Sequence, residues 1–174
     1  MIDLRPYRDD DLDAVLKIWW DAWHSIRPGL THPQPFADWR RRWVREIAPA
    51  QAVIVAADDG TVVGCAAADL AARELTQIFV APERNRQGIG QRLLTWAQAR
   101  MPEGFSLHTL AKNCASRAFY RRHGLVEGHT RSNPINGMPQ IEYSWTPPLA
   151  NKPPERAATT APADVRPSNA GRSA

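Results

Sequence analysis

Cysteine is scarce: Cys65 and Cys114 are the whole complement of this 174-residue chain, and neither sits in a metal-ligand spacing. A disulfide framework and a zinc site are thereby excluded as organising devices, and a reducing compartment fits. Long apolar runs are missing too. No stretch of about 18 uninterrupted apolar residues occurs, which argues against a membrane-spanning helix. The opening MIDLRPYRDDDLD lacks the basic, apolar, small-residue order of a secretory signal, so the expectation is a soluble, cytoplasmic protein. Charge of one sign is equally thin. The formal net charge is +4, and half of it comes from the segment after Ala150, where Lys152, Arg156, Arg166 and Arg172 outnumber Glu155 and Asp164. What remains is too small to imply a nucleic-acid partner but leaves room for a basic pocket that holds a small polyanion. Acidic side chains form no cluster that would call for a polycationic substrate; Asp21, Asp69 and Glu142 are scattered.

With 43% hydrophobic and 23% charged residues, the chain is long enough for one sizeable core and too short for two comfortable domains. The domain is expected over residues 1–149. Residues 150–174, NKPPERAATTAPADVRPSNAGRSA after Ala150, carry almost no large apolar side chain and read as a disordered Pro/Ala-rich tail. Within the domain the periodicity alternates. Met1 to Tyr7 reads as a strand, and Asp9 to Asp11 as caps for a helix whose apolar positions run Leu12, Val15, Leu16, Trp19, Ala22, Trp23. RPGLTHPQP is a loop, and Phe36, Trp39, Trp43, Val44 and Ile47 mark a second amphipathic helix. QAVIVAADD and TVVGCAAADL flank an Asp-Asp-Gly turn, a hairpin signal. Leu75 to Val80 is a further strand, Gln91 to Met101 a helix, Phe105 to Leu110 a strand, Ala115 to His123 a helix stopped by Gly124, and Gln140 to Trp145 the last strand. The outcome is a mixed sheet with helices packed on it.

The stretch RNRQGIGQRLL follows a strand and opens a helix. It is no phosphate loop of the nucleotide hydrolases, because Gln91 and Arg92 stand where Lys and Ser/Thr belong, and no dinucleotide fingerprint, because Leu93 stands in place of the third glycine. It still presents free backbone N–H groups at a helix N-terminus, the arrangement that takes an anion. Alone, the stretch is equally readable as an ordinary turn.

Its neighbours add more. LTQIFVAPERNRQGIGQRLL and, downstream, AKNCASRAFYRRHGLVEGHTR closely resemble the cofactor motif and the following Asn, Phe-Tyr and Gly motif of the GCN5-related N-acetyltransferases. The resemblance spans roughly residues 2–146 and is specific over 75–128. It implies an α/β (α+β) fold, a mostly antiparallel mixed sheet of about six to seven strands with about four helices on its two faces. It also implies acetyl-CoA as co-substrate, with no metal. Backbone amides of Asn85, Arg86, Gln87, Gly88, Ile89 and Gly90 would take the pyrophosphate, and Ile78, Phe79 and Val80 would offer backbone hydrogen bonds to the pantetheine arm. The family usually has Gln or Arg where Asn85 stands, which affects side-chain contacts there and leaves the amides intact.

Acetyl transfer to an amine needs a neutral nucleophile, a stabilised oxyanion and a proton for the departing thiolate. The resemblance assigns the proton donor to Tyr120, seven residues after Asn113, and gives Asn113 a cofactor contact that competes or combines with a helix-cap role. For the base two candidates stay open. His108 stands where ribosomal-protein alanine acetyltransferases of that family carry a glutamate, and Glu74 begins the preceding strand of the motif. The acceptor would meet DAWHSIRPGLTHPQPF and the loop HTRSNPINGMPQ, and the pairs Trp19/Trp23 and Trp39/Trp43 read either as core or as an aromatic acceptor pocket. The leading reading is an N-acetyltransferase acting on a primary amine of a small molecule or a protein. A catalytically silent acyl-CoA-binding domain is the alternative, a basic nucleic-acid module a more distant one, and a homodimer is compatible with either of the first two.

Overall fold

The computed structural model describes residues 1–26, 29 and 32–148; the tail expected from residue 150 lies outside the described residues. In chain order the elements are β1 (Ile2–Pro6), α1 (Leu12–His24), α2 (Phe36–Arg42), β2 (Ala52–Asp58), β3 (Thr61–Asp69), β4 (Glu74–Val80), α3 (Ile89–Arg100), β5 (Phe105–Leu110), α4 (Cys114–Arg122), β6 (Val126–Ser132) and β7 (Pro139–Trp145). The seven strands form one sheet in the order β1-β2-β3-β4-β5-β7-β6. All neighbours run antiparallel except β4 and β5, which are parallel. Among the described residues no helix is long and apolar enough to cross a membrane.

Strand alternation divides the core in two. On β2 and β3, Ile54, Ala56, Ala66 and Ala68 face a cluster with Leu93, Leu94 and Ala97 of α3 and Tyr120 of α4, whereas Val55, Cys65 and Ala67 face Val15, Leu16 and Trp19 of α1 and Trp39 of α2. Both faces of these strands are therefore covered, which is why AVIVAA and VVGCAAA are apolar throughout. The small alanines let the helices approach closely. Gly64 is the extreme case, for a Cβ there would sit 3.0 Å from Phe79 O and 3.1 Å from Ile89 Cγ2, so only glycine admits the start of α3 against the sheet.

Three local readings are corrected. Asp11 does not cap α1; its carboxylate turns back to Arg5, which donates from both terminal nitrogens at 2.7 Å, and accepts from the Arg8 N–H at 2.8 Å. The second helix is α-helical only to Arg42 and continues as a π-helical turn over Trp43–Ile47. That wider turn buries Trp43 and Ile47 and leaves Val44 half exposed, contrary to its expected inward position. Finally, His129 to Ser132, expected at the start of the loop before the last strand, belong to β6, whose seven residues are all exposed; an edge strand with neither face buried carries no period-two signal.

Candidate active site

The parallel neighbours β4 and β5 share a single bridged pair, Glu74 with Ser106. Just beyond it β4 bulges: Ala68 pairs with Leu75 and Ala67 with Gln77, so Thr76 has no partner and the strand bends away. The Thr76 hydroxyl anchors the bulge by donating to Ala67 O at 3.1 Å. From there to Val80 the edge of β4 that faces β5 lacks a strand partner among the described residues. Between the diverging strands opens a cleft of about 1710 Å³, well above the ~300–1,000 Å³ of a pocket for one small molecule. Of the residues anticipated from sequence, Glu74, Ile78, Phe79, Val80, Asn85, Arg86, Gly88, Ile89, Gly90, His108, Asn113 and Tyr120 line it. Gln87 is exposed and does not.

At one end of the cleft the chain leaves β4 through Ala81-Pro82 and enters α3. Arg86 and Gly88 have φ of +63° and +78°, flanking Gln87, so successive amides turn toward one concavity. The first backbone bond of the helix is Arg92 N–H to Gly88 O at 3.1 Å. Among the described residues the amides of Arg86 to Gln91 have no protein acceptor. A left-handed non-glycine residue such as Arg86 costs about 1–2 kcal/mol, which the surrounding loop must offset. The two glycines serve different ends. Gly88 supplies the left-handed conformation with open space around it, while Gly90 is helical and a Cβ there would reach 3.4 Å from the Phe119 ring.

Near the bridged pair the two candidate bases meet. His108 Nδ1 lies 3.1 Å from Glu74 Oε1, and His108 Nε2 is buried without a hydrogen-bond partner among the described residues. Arg131 also approaches Nδ1, at 3.4 Å, but an N–H at Nδ1 donating to the carboxylate leaves that nitrogen nothing to accept with; the shorter contact sets the tautomer. In the neutral ring Nε2 then carries the lone pair. With its side chain only 12% exposed, His108 is held in place.

Tyr120 sits on the opposite face of the sheet, in α4. Asn113 caps that helix, its side chain accepting from Ser116 N–H at 3.1 Å, so the cap reading of Asn113 holds while the residue also lines the cleft. The helix ends in a Schellman motif: Leu125 N–H donates to Tyr120 O at 3.0 Å, Gly124 N–H donates to Arg121 O at 3.1 Å, and Gly124 has φ +80°. Glu127 of β6 adds a tie by accepting from Arg117 at 2.9 Å, Arg121 at 3.2 Å and the Tyr143 hydroxyl. Tyr120 is thus fixed at 5% exposure, its ring 5.3 Å from Tyr143, and its hydroxyl makes no hydrogen bond among the described residues. Burial raises its pKa above that of an ordinary phenol, which keeps the proton on it.

Of the charged wall, Arg86 alone stands out in the sequence. Arg42, Arg84, Arg86, Lys112, Arg122 and Arg131 all line the cleft, and Glu74 is the one carboxylate among its described lining residues. Nothing in the spacing of the others distinguishes them from solvated surface charges; only the fold brings them to one wall. On the α1/α2 side, Trp19, Trp23 and Trp39 are at most 7% exposed and yet contribute to the lining, so the tryptophans are core and pocket floor at once. His32, after α1, meets Asn136, between β6 and β7, at 3.4 Å, joining the two segments expected to meet the acceptor. Among the described residues no group of three or more His, Cys, Asp or Glu side chains is placed to hold a metal ion.

Comparison with known proteins agrees with this architecture. The sequence profile of the acetyltransferase (GNAT) family matches residues 12–125. The chain belongs to that family. No curated protein sequence matches it. Among solved structures, the PaiA N-acetyltransferase of Thermoplasma acidophilum in complex with coenzyme A superimposes with TM-score 0.64 at 19% identity, covering 83% of this chain and 99% of that one. YjaB from Escherichia coli, in its apo form, gives TM-score 0.68 at 18% identity over 83% and 97% of the two chains. The ribosomal-protein-S18-alanine N-acetyltransferase of Escherichia coli gives 0.63 at 20% identity over 88% and 98%. At such identities the likeness is one of fold.

Proposed function

We propose that the protein binds acetyl-CoA in the β4/β5 cleft and transfers its acetyl group to a primary amine, of a small molecule or a protein, by direct attack in a ternary complex. The observation that carries this reading is the cleft itself, which has a cradle of unpaired amides at Arg86 to Gln91 at one end and the Glu74–His108 pair near the other. Amides with no internal acceptor at a helix N-terminus fit a diphosphate, and Arg86, Lys112 and Arg122 supply counter-charge along the same wall, Arg84 being already paired with Asp58. The coenzyme A bound by the Thermoplasma relative is consistent with that fit. The unpaired edge of Ile78 to Val80 suits an extended pantetheine arm laid down as an extra strand.

Each residue then has a task. His108 accepts a proton from the incoming ammonium through Nε2, and Glu74 holds Nδ1–H and balances the imidazolium. Tyr120, kept protonated by burial, donates to the departing thiolate. Initial rates with acetyl-CoA and amine varied together test the order of events. Intersecting lines and an N-acetylated product identified by mass spectrometry are expected. Parallel lines would mean an acetyl-enzyme, and cofactor binding without turnover across a broad amine panel would leave a silent acyl-CoA-binding domain.

A further inference from the structure

The acceptor end of the cleft has a charge pattern that selects among amines. Arg42 of α2 extends over the Trp19 ring, 5.8 Å from its centroid, and its guanidinium makes no hydrogen bond among the described residues. The nearest carboxylate is Glu46, 3.7 Å from Nε, a distance at which no hydrogen bond forms. Its side chain is only 33% exposed, so a fork of donors is held on an aromatic floor, facing the cleft and short of acceptors. Burial lowers the pKa of Arg42 from the usual arginine value and outweighs the opposing pull of Glu46 and Glu74. A second guanidinium, Arg131 of β6, reaches in from the other side to 3.4 Å from His108 Nδ1.

Resting on the acetyltransferase reading above, we propose that the acceptor is a free amino acid or close amino-carboxylate with an aromatic or large apolar side chain, whose carboxylate is held by Arg42 and Arg131. In an α-amino acid the amine and the carboxylate share one carbon. A carboxylate on Arg131 therefore keeps the amine close to the His108 ring, which Arg131 approaches on its Nδ1 side. The side chain lies on Trp19, Trp23 and Trp39. Polyamines are disfavoured by the same pattern, since Glu74 is the one carboxylate among the described lining residues and is already engaged by His108. A protein N-terminus, whose carboxyl is an amide, forgoes both charge-assisted pairs.

The test compares phenylalanine, phenylalaninamide and spermidine as acceptors for the full chain and for Arg42→Gln and Arg131→Gln. The acid is expected to exceed the amide in kcat/KM by about tenfold or more, the scale of one charge-assisted bond. That ratio should fall toward unity in both variants. General damage to the fold lowers acid and amide together and leaves the ratio unchanged, so the ratio reports recognition. Equal or better use of the amide or of spermidine, or a ratio preserved in both variants, overturns the proposal. Absence of transfer to every amine overturns the acetyltransferase reading instead. In that case calorimetry of the coenzyme A-loaded protein decides the acceptor: binding of phenylalanine but not its amide supports the proposal, and binding of neither contradicts it.

Discussion

His108 Nδ1 and Glu74 Oε1 stand 3.1 Å apart although 34 residues separate them in the chain. Two residues that the sequence offers as rival bases are thereby one hydrogen-bonded unit, and in the proposed reaction the carboxylate fixes the tautomer while the imidazole takes the proton. A unit of this kind is non-additive. His108→Gln is expected to lower kcat/KM by about 10²-fold and Glu74→Gln by less, and the double variant should be no worse than His108→Gln alone. Multiplying effects in initial-rate measurements would show that the two side chains act independently.

Tyr120 has a hydroxyl with no hydrogen bond to lose, so removing it should leave the packing of α4 unchanged. For Tyr120→Phe the expected result is a fall in kcat of about 10²-fold, with acetyl-CoA affinity within about twofold of the parent and the melting temperature little changed. Undiminished turnover would take Tyr120 out of the mechanism.

The two loop glycines should respond differently. Gly88→Ala places a Cβ at φ +78°, costing about 1–2 kcal/mol and distorting the cradle, although no neighbour lies within 4 Å. Gly90→Gln directs a side chain at Phe119, where even a Cβ would be at 3.4 Å, and into the space an anion needs. Calorimetric titration with acetyl-CoA should show weakened binding for the first and loss of binding for the second. Parent-like affinity in Gly90→Gln would place the cofactor elsewhere.

Asp11 links β1 to the start of α1 and has a side chain only 8% exposed. The Arg5 guanidinium, followed by the Arg8 N–H, holds its pKa below the ordinary 3.8, outweighing the opposing effect of burial. A depressed carboxylate contributes stability that is present above its unfolded value and is lost as pH falls through the folded one. Asp11→Asn should therefore lose about 1.5–3 kcal/mol at pH 7, and the gap to the parent should close as pH drops below about 4. Denaturant midpoints at several pH values measure it; a gap independent of pH would contradict the pairing.

Much of the scaffold is legible in the sequence because it is written in burial. The apolar runs of β2 and β3, the tryptophan spacing of α1 and the strand-glycine-helix order at α3 each follow from a face that must be covered. β6 escapes notice because no face of it is covered, and the break after Arg42 because a π-turn shifts the spacing on which a helical reading depends. The site is half legible. Gly88, Gly90, Asn113 and Tyr120 lie within motifs, whereas Arg42 and Arg131 resemble solvated charges until α2 and β6 carry them to the same cleft. The partnership of Glu74 with His108 is invisible for a similar reason, since it depends on the parallel junction of β4 and β5 at Glu74 and Ser106.

The pH dependence of kcat/KM for the amine, taken with acceptors of different basicity, tests most directly whether this pair deprotonates the acceptor. In the parent protein the acidic limb should keep its position whichever acceptor is used. In His108→Gln it should move with the acceptor's own amine, because only amine already neutral in solution can then react. The same limb in both proteins, moving with the acceptor in each, would contradict the account.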